Sequence, residues 1–319
     1  MSAQTQWESL NDLGDLIQTK AKSRDDFITE CNEGRFNGVV AAYRTAESIE
    51  ITGRFDKELL SVLPKSWVFL ASCGAGYDPI DVTACSQREP PLRVSNVPIA
   101  VNDATADTAI FLMLGALRNF NASMHTLRQG DWKGEPPVAL GHDPQGKVLG
   151  ILGMGGIGKN IGAKAAAFGM STIYHNRRKI DGETAEYVTF EDLLKRSDVL
   201  SINLPLNPDT RHIISTPQLQ MMKATSIIIN TARGAVLDEE ALVEALEHGT
   251  IAGAGLDVFE EEPKIHPGLL RSVNVVLLPH MGTHTTETKR KMEEWTIQNI
   301  REALEKGRLM SPIPEQQGL

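Results

Sequence analysis

Arg233, the run Glu260-Glu261-Glu262 and His280 are the side chains in this 319-residue sequence best suited to acid–base work on a carbonyl compound. Histidine exchanges protons near neutral pH, so it can give an alkoxide the proton it must collect when a carbonyl is reduced. A glutamate beside it holds the ring and favours the protonated form. Arginine grips a carboxylate through paired N–H bonds and polarises the neighbouring carbonyl. Together the three imply reduction of a 2-oxo acid. Singly each is weak evidence: a lone histidine serves equally well as a structural group, and an acidic run more often faces solvent.

Their placement is what joins them. Apolar runs at 147–152, 171–174, 199–203, 226–230, 252–256 and 274–278 read as strands. Helical patterns lie between most of them, notably 157–168 closed by Gly169, 190–196, and 239–248 started by Asp238 as N-cap. Six strands separated by helices demand a parallel sheet with right-handed crossovers, so the fold class is α/β with a doubly wound, Rossmann-type domain. Ligands of such sheets bind beyond the carboxyl ends of the strands. There the chain places Thr231-Ala232-Arg233-Gly234, then Asp257 through Pro263, then Pro279-His280-Met281-Gly282.

The first of these strands runs into Gly153-Met154-Gly155-Gly156-Ile157-Gly158, a GxGxxG pattern through Gly153, Gly155 and Gly158. Between a strand and a helix, such a loop holds a dinucleotide: one glycine turns the chain, one admits the pyrophosphate, and one lets helix meet strand. The helix N-terminus then supplies free N–H groups to the phosphates. Where an acidic residue would hold the ribose 2′-OH of NAD, the second strand instead ends in Asn176-Arg177-Arg178-Lys179. Arginine forks suit a 2′-phosphate, so NADPH is the expected cofactor. Asn176 can bond a free 2′-OH and leaves NADH possible.

The chain resembles the D-2-hydroxyacid dehydrogenase family, especially its glyoxylate/hydroxypyruvate reductase branch and fungal relatives acting on bulkier 2-oxo acids. The matching stretches are Gly74-Ala75-Gly76-Tyr77-Asp78, Ala104-Thr105-Ala106-Asp107, Gly130-Asp131-Trp132, the glycine turn, Asn203-Leu204-Pro205-Leu206, Asn230 through Gly234, Gly255 through Phe259 with Glu262-Pro263, and Pro279 through Gly282. The resemblance implies that Arg233 orients substrate and that His280 paired with Glu262, the glutamate directly before the proline, is the acid/base. It gives the nicotinamide carboxamide to Asp257, further cofactor contacts to Thr105, Leu204, Pro205 and Thr231, the substrate carboxylate to the Ala75 and Gly76 amides, and an apolar lining to Met281. It also implies a homodimer, and a smaller flavodoxin-like α/β substrate domain in two pieces. The expected partition is 1–100 and 285–319 for that domain and 101–284 for the dinucleotide-binding domain.

Within 1–100 the patterns predict strands at 38–43, 67–72 and 92–95, and helices at 7–20, 24–33 and 56–63. The family's first strand has no counterpart, which leaves either a domain without it or a chain shortened at its start. His284 stands where the family has a small residue, and Trp132 is either a loop anchor or a neighbour of the partner subunit's site. The segment 105–118 is apolar almost all round, which fits a core helix or a subunit interface.

Composition bounds the rest. With 32 Lys+Arg against 41 Asp+Glu the net charge is −9, which disfavours nucleic acid and anionic membranes as partners. Three cysteines fit neither a disulfide framework nor a metal site, and no signal or membrane segment is legible, so a cytoplasmic protein is expected. The rival reading is a dinucleotide-sensing binding protein, a corepressor on the same fold; the Arg233, Glu262 and His280 set favours the enzyme. Glu262 itself argues against a formate dehydrogenase, whose histidine pairs with glutamine.

Overall fold

The computed structural model describes residues 2–319, and its chain divides into two compact units: one of residues up to Val101 together with His284–Leu319, the other Asn102–Thr283. The first carries a parallel sheet ordered β1 (Ala41–Arg44), β2 (Phe69–Ser72), β3 (Arg93–Ser95). Alternate residues of β2 bury on opposite faces. Leu70 joins Phe27, Phe36, Trp67 and Val94, while Ala71 joins Leu10, Ile297 and Ile300. Ile297 and Ile300 belong to the long helix Thr286–Lys306, whose N-cap Thr285 accepts the Thr288 N–H.

The start of this unit differs from expectation. Helix runs only over Gln4–Glu8, with a 3-10 turn at Ser9–Asp12, rather than through 20. Beyond Gly14, tertiary bonds compete with helix. Thr19 Oγ1 and the Lys20 N–H donate to Glu30 at 2.6 and 3.0 Å, and Arg35 donates to the Gln18 carbonyl at 2.8 Å.

The second unit holds seven parallel strands: β4 (Val148–Leu152), β5 (Ser171–His175), β6 (Glu186–Tyr187), β7 (Val199–Ile202), β8 (Ile227–Asn230), β9 (Gly253–Leu256) and β10 (Val275–Leu277). Their order, β10-β9-β8-β7-β4-β5-β6, reverses between β4 and β7, at the switch point where such sheets bind ligands. Strands β7, β8 and β9 are buried along their whole length, as befits a sheet covered on both faces. The expected count of six is therefore one short: β6 is a two-residue edge strand with no apolar run to announce it.

The helix after β4 spans Gly156–Ala166 and is capped by Ala167; Gly169, at φ 70°, turns the chain just afterwards instead of serving as the cap. The apolar segment near 105–118 is a helix, Asn102–Leu117, and most of it is core. Leu112, Met113 and Ala116 pack among Ile151, Ile229 and Val276. A Cβ on Gly255 would stand 2.7 Å from Leu112 Cβ, so glycine lets helix and sheet close up. Phe111 alone among the helix's large apolar residues is half exposed. Among the described residues no helix is long and apolar enough to cross a membrane, and no group of three His, Cys, Asp or Glu side chains could hold a metal.

Candidate active site

Each glycine of the turn after β4 answers a different constraint. Gly153 has φ 97°, and a Cβ there would lie 2.7 Å from the Asn203 carbonyl oxygen. A Cβ on Gly158 would meet the Gly153 carbonyl oxygen at 2.6 Å, so the helix crosses the strand only because glycine stands there. Gly155, the helix N-cap, would have nothing within 4 Å of its Cβ. Gly156 faces Asn102 Nδ2, 2.4 Å from the Cβ position, a packing role the motif did not announce. The amide N–H groups of Gly155, Gly156 and Ile157 donate to no acceptor among the described residues. On the next two strands of the sheet, two buried oxygens lack partners, Asn203 Oδ1 after β7 and Thr231 Oγ1 after β8. Free amides, an open approach and orphaned polar atoms are what a dinucleotide would satisfy.

At the end of β5, Asn176 Oδ1 accepts the Met154 N–H at 2.7 Å, so this side chain holds the glycine turn itself. Arg177 and Arg178 are exposed and make no hydrogen bond or ion pair among the described residues. Leu204 is half-buried against Gly153, and Pro205 is exposed with its carbonyl taken by Thr210 at 2.6 Å.

The acid–base candidates meet. His280 Nδ1 lies 2.9 Å from Glu262 Oε2, and Glu262 Oε1 accepts the Phe259 N–H at 3.0 Å. Burial pushes the Glu262 carboxyl up, but its bond to His280, the charges of His280 and Arg233, and the Phe259 N–H hold it below the usual range. His280 Nε2 makes no bond to the chain, so a ring held at one nitrogen offers the other. Arg233 Nη1 donates to the Ala232 carbonyl at 2.7 Å.

Asp257, buried at the end of β9, takes the Met281 and Gly282 N–H groups at 2.5 and 2.8 Å, and its own carbonyl accepts the His280 N–H at 2.8 Å. Burial raises its carboxyl against those two amides. Thr105, also buried, flanks the same turn: its Oγ1 is 3.5 Å from the Cβ position of Gly282. Met281 is half-buried.

In the other unit, the turn after β2 is pinned by Asn96 Nδ2 on the Ala75 carbonyl (2.7 Å) and by the Val97 N–H on the Gly74 carbonyl (2.8 Å). The N–H groups of Ala75 and Gly76 have no acceptor among the described residues. His284 belongs to this unit and is exposed.

The profile described as "D-isomer specific 2-hydroxyacid dehydrogenase, NAD binding domain" matches residues 110–282. The chain belongs to this family. It is an oxidoreductase, an NAD(P)-dependent D-2-hydroxyacid dehydrogenase. A relative named 4-methyl-2-oxopentanoate reductase A, from Aspergillus oryzae, is 49% identical over 99% of this chain and 96% of its own length. The crystal structure of a glyoxylate reductase from Paecilomyes thermophila is 50% identical with a TM-score of 0.95, covering 98% of this dehydrogenase and 95% of that chain. An NADPH-dependent glyoxylate/hydroxypyruvate reductase from Sinorhizobium meliloti, solved with NADP and malonate, is 30% identical with a TM-score of 0.85, covering 97% and 93%. These similar proteins are reductases and lend nothing to the corepressor alternative.

Two side chains of this dehydrogenase escaped the sequence reading. Asn203 lay inside a matching stretch without a stated role. Glu260 was absorbed into an acidic run that reads as a solvated loop, yet its side chain is only 19% exposed and is bonded to His212 and Arg211.

Proposed function

We propose that the dehydrogenase reduces 2-oxo acids to D-2-hydroxy acids, with NADPH preferred over NADH and His280 as general acid. The observation that carries this is the 2.9 Å pairing of His280 Nδ1 with Glu262, which leaves Nε2 to the substrate. Arg233 binds the substrate carboxylate and polarises its carbonyl. When bound, the nicotinamide supplies the hydride. His280 Nε2 donates the proton that the new alkoxide collects, and Glu262 stabilises the imidazolium beforehand. In the reverse direction His280 takes the proton back.

The glycine turn, Asn176, Arg177 and Arg178 would hold the cofactor, with Thr105, Leu204, Pro205, Thr231 and Asp257 around its nicotinamide half. Each Asp257 oxygen has a second lone pair and can accept from a carboxamide while holding the turn. The Ala75 and Gly76 amides would receive the substrate carboxylate, which makes the split unit the substrate domain; Met281 is proposed as an apolar lining residue. The related names favour 2-oxo acids ranging from glyoxylate to branched aliphatic ones.

We propose that exposed apolar side chains of the cofactor unit supply the homodimer contact; candidates are Phe111, Phe120, Leu127, Trp132 (79% exposed) and Leu140 (95% exposed). Three free cysteines suit a cytoplasmic setting.

The test is NADPH oxidation with glyoxylate, hydroxypyruvate, 4-methyl-2-oxopentanoate and phenylpyruvate. Wild type turns over at least one, His280→Ala none, and Arg233→Ala is crippled, while both variants still bind NADPH. Turnover by His280→Ala, or NADPH binding without any turnover by wild type, would defeat the proposal.

A further inference from the structure

Glu260 stands two residues before Glu262, and its carboxylate bonds partners other than His280. One carboxylate oxygen accepts from His212 Nε2 and from Arg211 Nη2 (3.0 Å); the other takes the Glu239 N–H at 3.4 Å. The exchange is reciprocal, because the Glu260 N–H donates to the Glu239 carboxylate at 3.0 Å, whose other oxygen takes the His266 N–H at 2.8 Å. On the far side the His212 N–H donates to the Ala235 carbonyl at 2.8 Å, and the Asp238 N–H to that of Ile214 at 2.8 Å. His212 holds a left-handed φ of 51° while making these bonds. Its Nδ1 lies 3.9 Å from the Asp238 carboxylate. Three loops, around 211–214, 233–239 and 259–266, are thus joined through one carboxylate.

Those loops carry the chemistry. A Cβ on Gly234 would lie 1.9 Å from the Phe259 carbonyl carbon and 2.4 Å from the Glu260 nitrogen, so the turn beginning at Arg233 rests directly on the 259–260 peptide. The Phe259 N–H in turn holds Glu262. We propose that Glu260 is a positioning residue: clasped by His212 and Arg211, it fixes the 259–260 peptide against Gly234 and so sets Arg233 and Glu262 in register with His280. The proposal rests on the acid–base reading of His280 and Glu262. It adds that the register of the pair depends on a carboxylate that touches neither substrate nor cofactor. A misplacement of the order of 1 Å in a catalytic group costs up to ~100-fold in rate, which sets the effect to look for. The charged and titratable groups facing Glu260 are Arg211, His212 and Glu239, with Asp238 behind His212.

The experiment compares the full-length enzyme with Glu260→Ala, Glu260→Gln, Glu262→Gln and the double variant Glu260→Ala/Glu262→Gln, after confirming NADPH binding. Glu260→Ala is expected to lower kcat by roughly ten- to a hundredfold. It should also move the high-pH fall of reduction to lower pH, as Glu262→Gln does, because both loosen the carboxylate from the imidazolium. Glu260→Gln keeps an acceptor for His212 and Arg211 and should recover most of the rate. In the double variant the alanine should cost less than about threefold beyond Glu262→Gln, since coupled residues are not additive. A uniform loss at every pH, a change in KM alone, or full multiplication of the two costs would overturn the proposal. If Glu260→Ala does not fold, Arg211→Ala and His212→Gln remove one partner each and are read the same way. Wild type that reduces no 2-oxo acid would sink the acid–base reading itself. A normal Glu262→Gln response with an unshifted Glu260→Ala profile sinks only this step.

Discussion

His280 and Asp257 are bonded at the backbone, His280 N–H to Asp257 carbonyl at 2.8 Å, and the Asp257 carboxylate then takes the next two amides of the same turn. The histidine is held at a φ of 56°, a left-handed conformation that costs a residue with a side chain ~1–2 kcal/mol. Asp257 is what offsets that cost. Asn at this position presents one oxygen and one N–H₂ group to two donors, leaving a buried amide unpaired. Asp257→Asn should therefore lose about 1–3 kcal/mol of stability and a larger share of kcat than of NADPH affinity. Denaturant unfolding and steady-state rates check this; unchanged stability would mean the turn stands without Asp257.

The Glu262 carboxyl is held below its ordinary 4.5, so the pair with His280 stays ionised on the glutamate side through and somewhat below that pH. Because the shift is downward, the pair's contribution is present above the ordinary glutamate range and is lost only as pH falls through the depressed value. A general acid acts in its protonated form, so reduction by wild type should hold up at mildly acid pH and fall at high pH. Glu262→Gln removes the attraction for the imidazolium, so its fall at high pH should begin at lower pH. The pH profile of kcat/KM decides this; superimposable profiles would refute it.

Much of this arrangement was legible because the chemistry sits at strand ends. Apolar runs such as 226–230 and 199–203 mark buried parallel strands, observed at Ile227–Asn230 and Val199–Ile202, and the residues at the carboxyl end of each must lie on the ligand side. Arg233, Glu262 and His280 stand out as candidates that way, and the structure pairs the last two. What the sequence hid depends on side chains reaching across loops. Glu260 and Glu261 look alike in a charge run, and only folding brings His212, 48 positions away, onto one of them. The edge strand β6 and the early end of the first helix were hidden for a related reason: pairing with neighbours, not local pattern, decides them.

Two glycines separate packing from ligand approach. Gly155 has φ −84° and ψ −162°, ordinary for any residue, and open space beyond its Cβ position. Gly155→Ala should therefore fold with stability within ~0.5 kcal/mol of wild type yet bind NADPH at least roughly tenfold more weakly, about 1.4 kcal/mol. Gly234→Ala has no such room: its Cβ would collide with the Phe259 backbone, and a loss of ~3 kcal/mol or more is expected. Thermal unfolding and NADPH titration read both. A Gly155→Ala protein that binds NADPH normally would move the pyrophosphate away from this turn.

Cofactor choice turns on the end of β5. Asn176 spends Oδ1 on the Met154 N–H and so presents its Nδ2 donor, while Arg177 and Arg178 stand exposed and unpaired among the described residues. Donors and positive charge suit a 2′-phosphate, and a bond to a charged group contributes about 1.5–3 kcal/mol. Replacing both arginines by alanine should cut kcat/KM for NADPH by roughly ten- to a hundredfold and leave NADH nearly unchanged. Asn176→Asp is the sharper variant. Its carboxylate can still accept the Met154 N–H, so the turn survives, but it now repels a 2′-phosphate and accepts from a 2′-OH. The preference should swing toward NADH with no loss of stability. Wild type with a higher kcat/KM for NADH would overturn the NADPH assignment, and an Asn176→Asp enzyme whose NADPH/NADH ratio is unaltered would remove Asn176 from the ribose site.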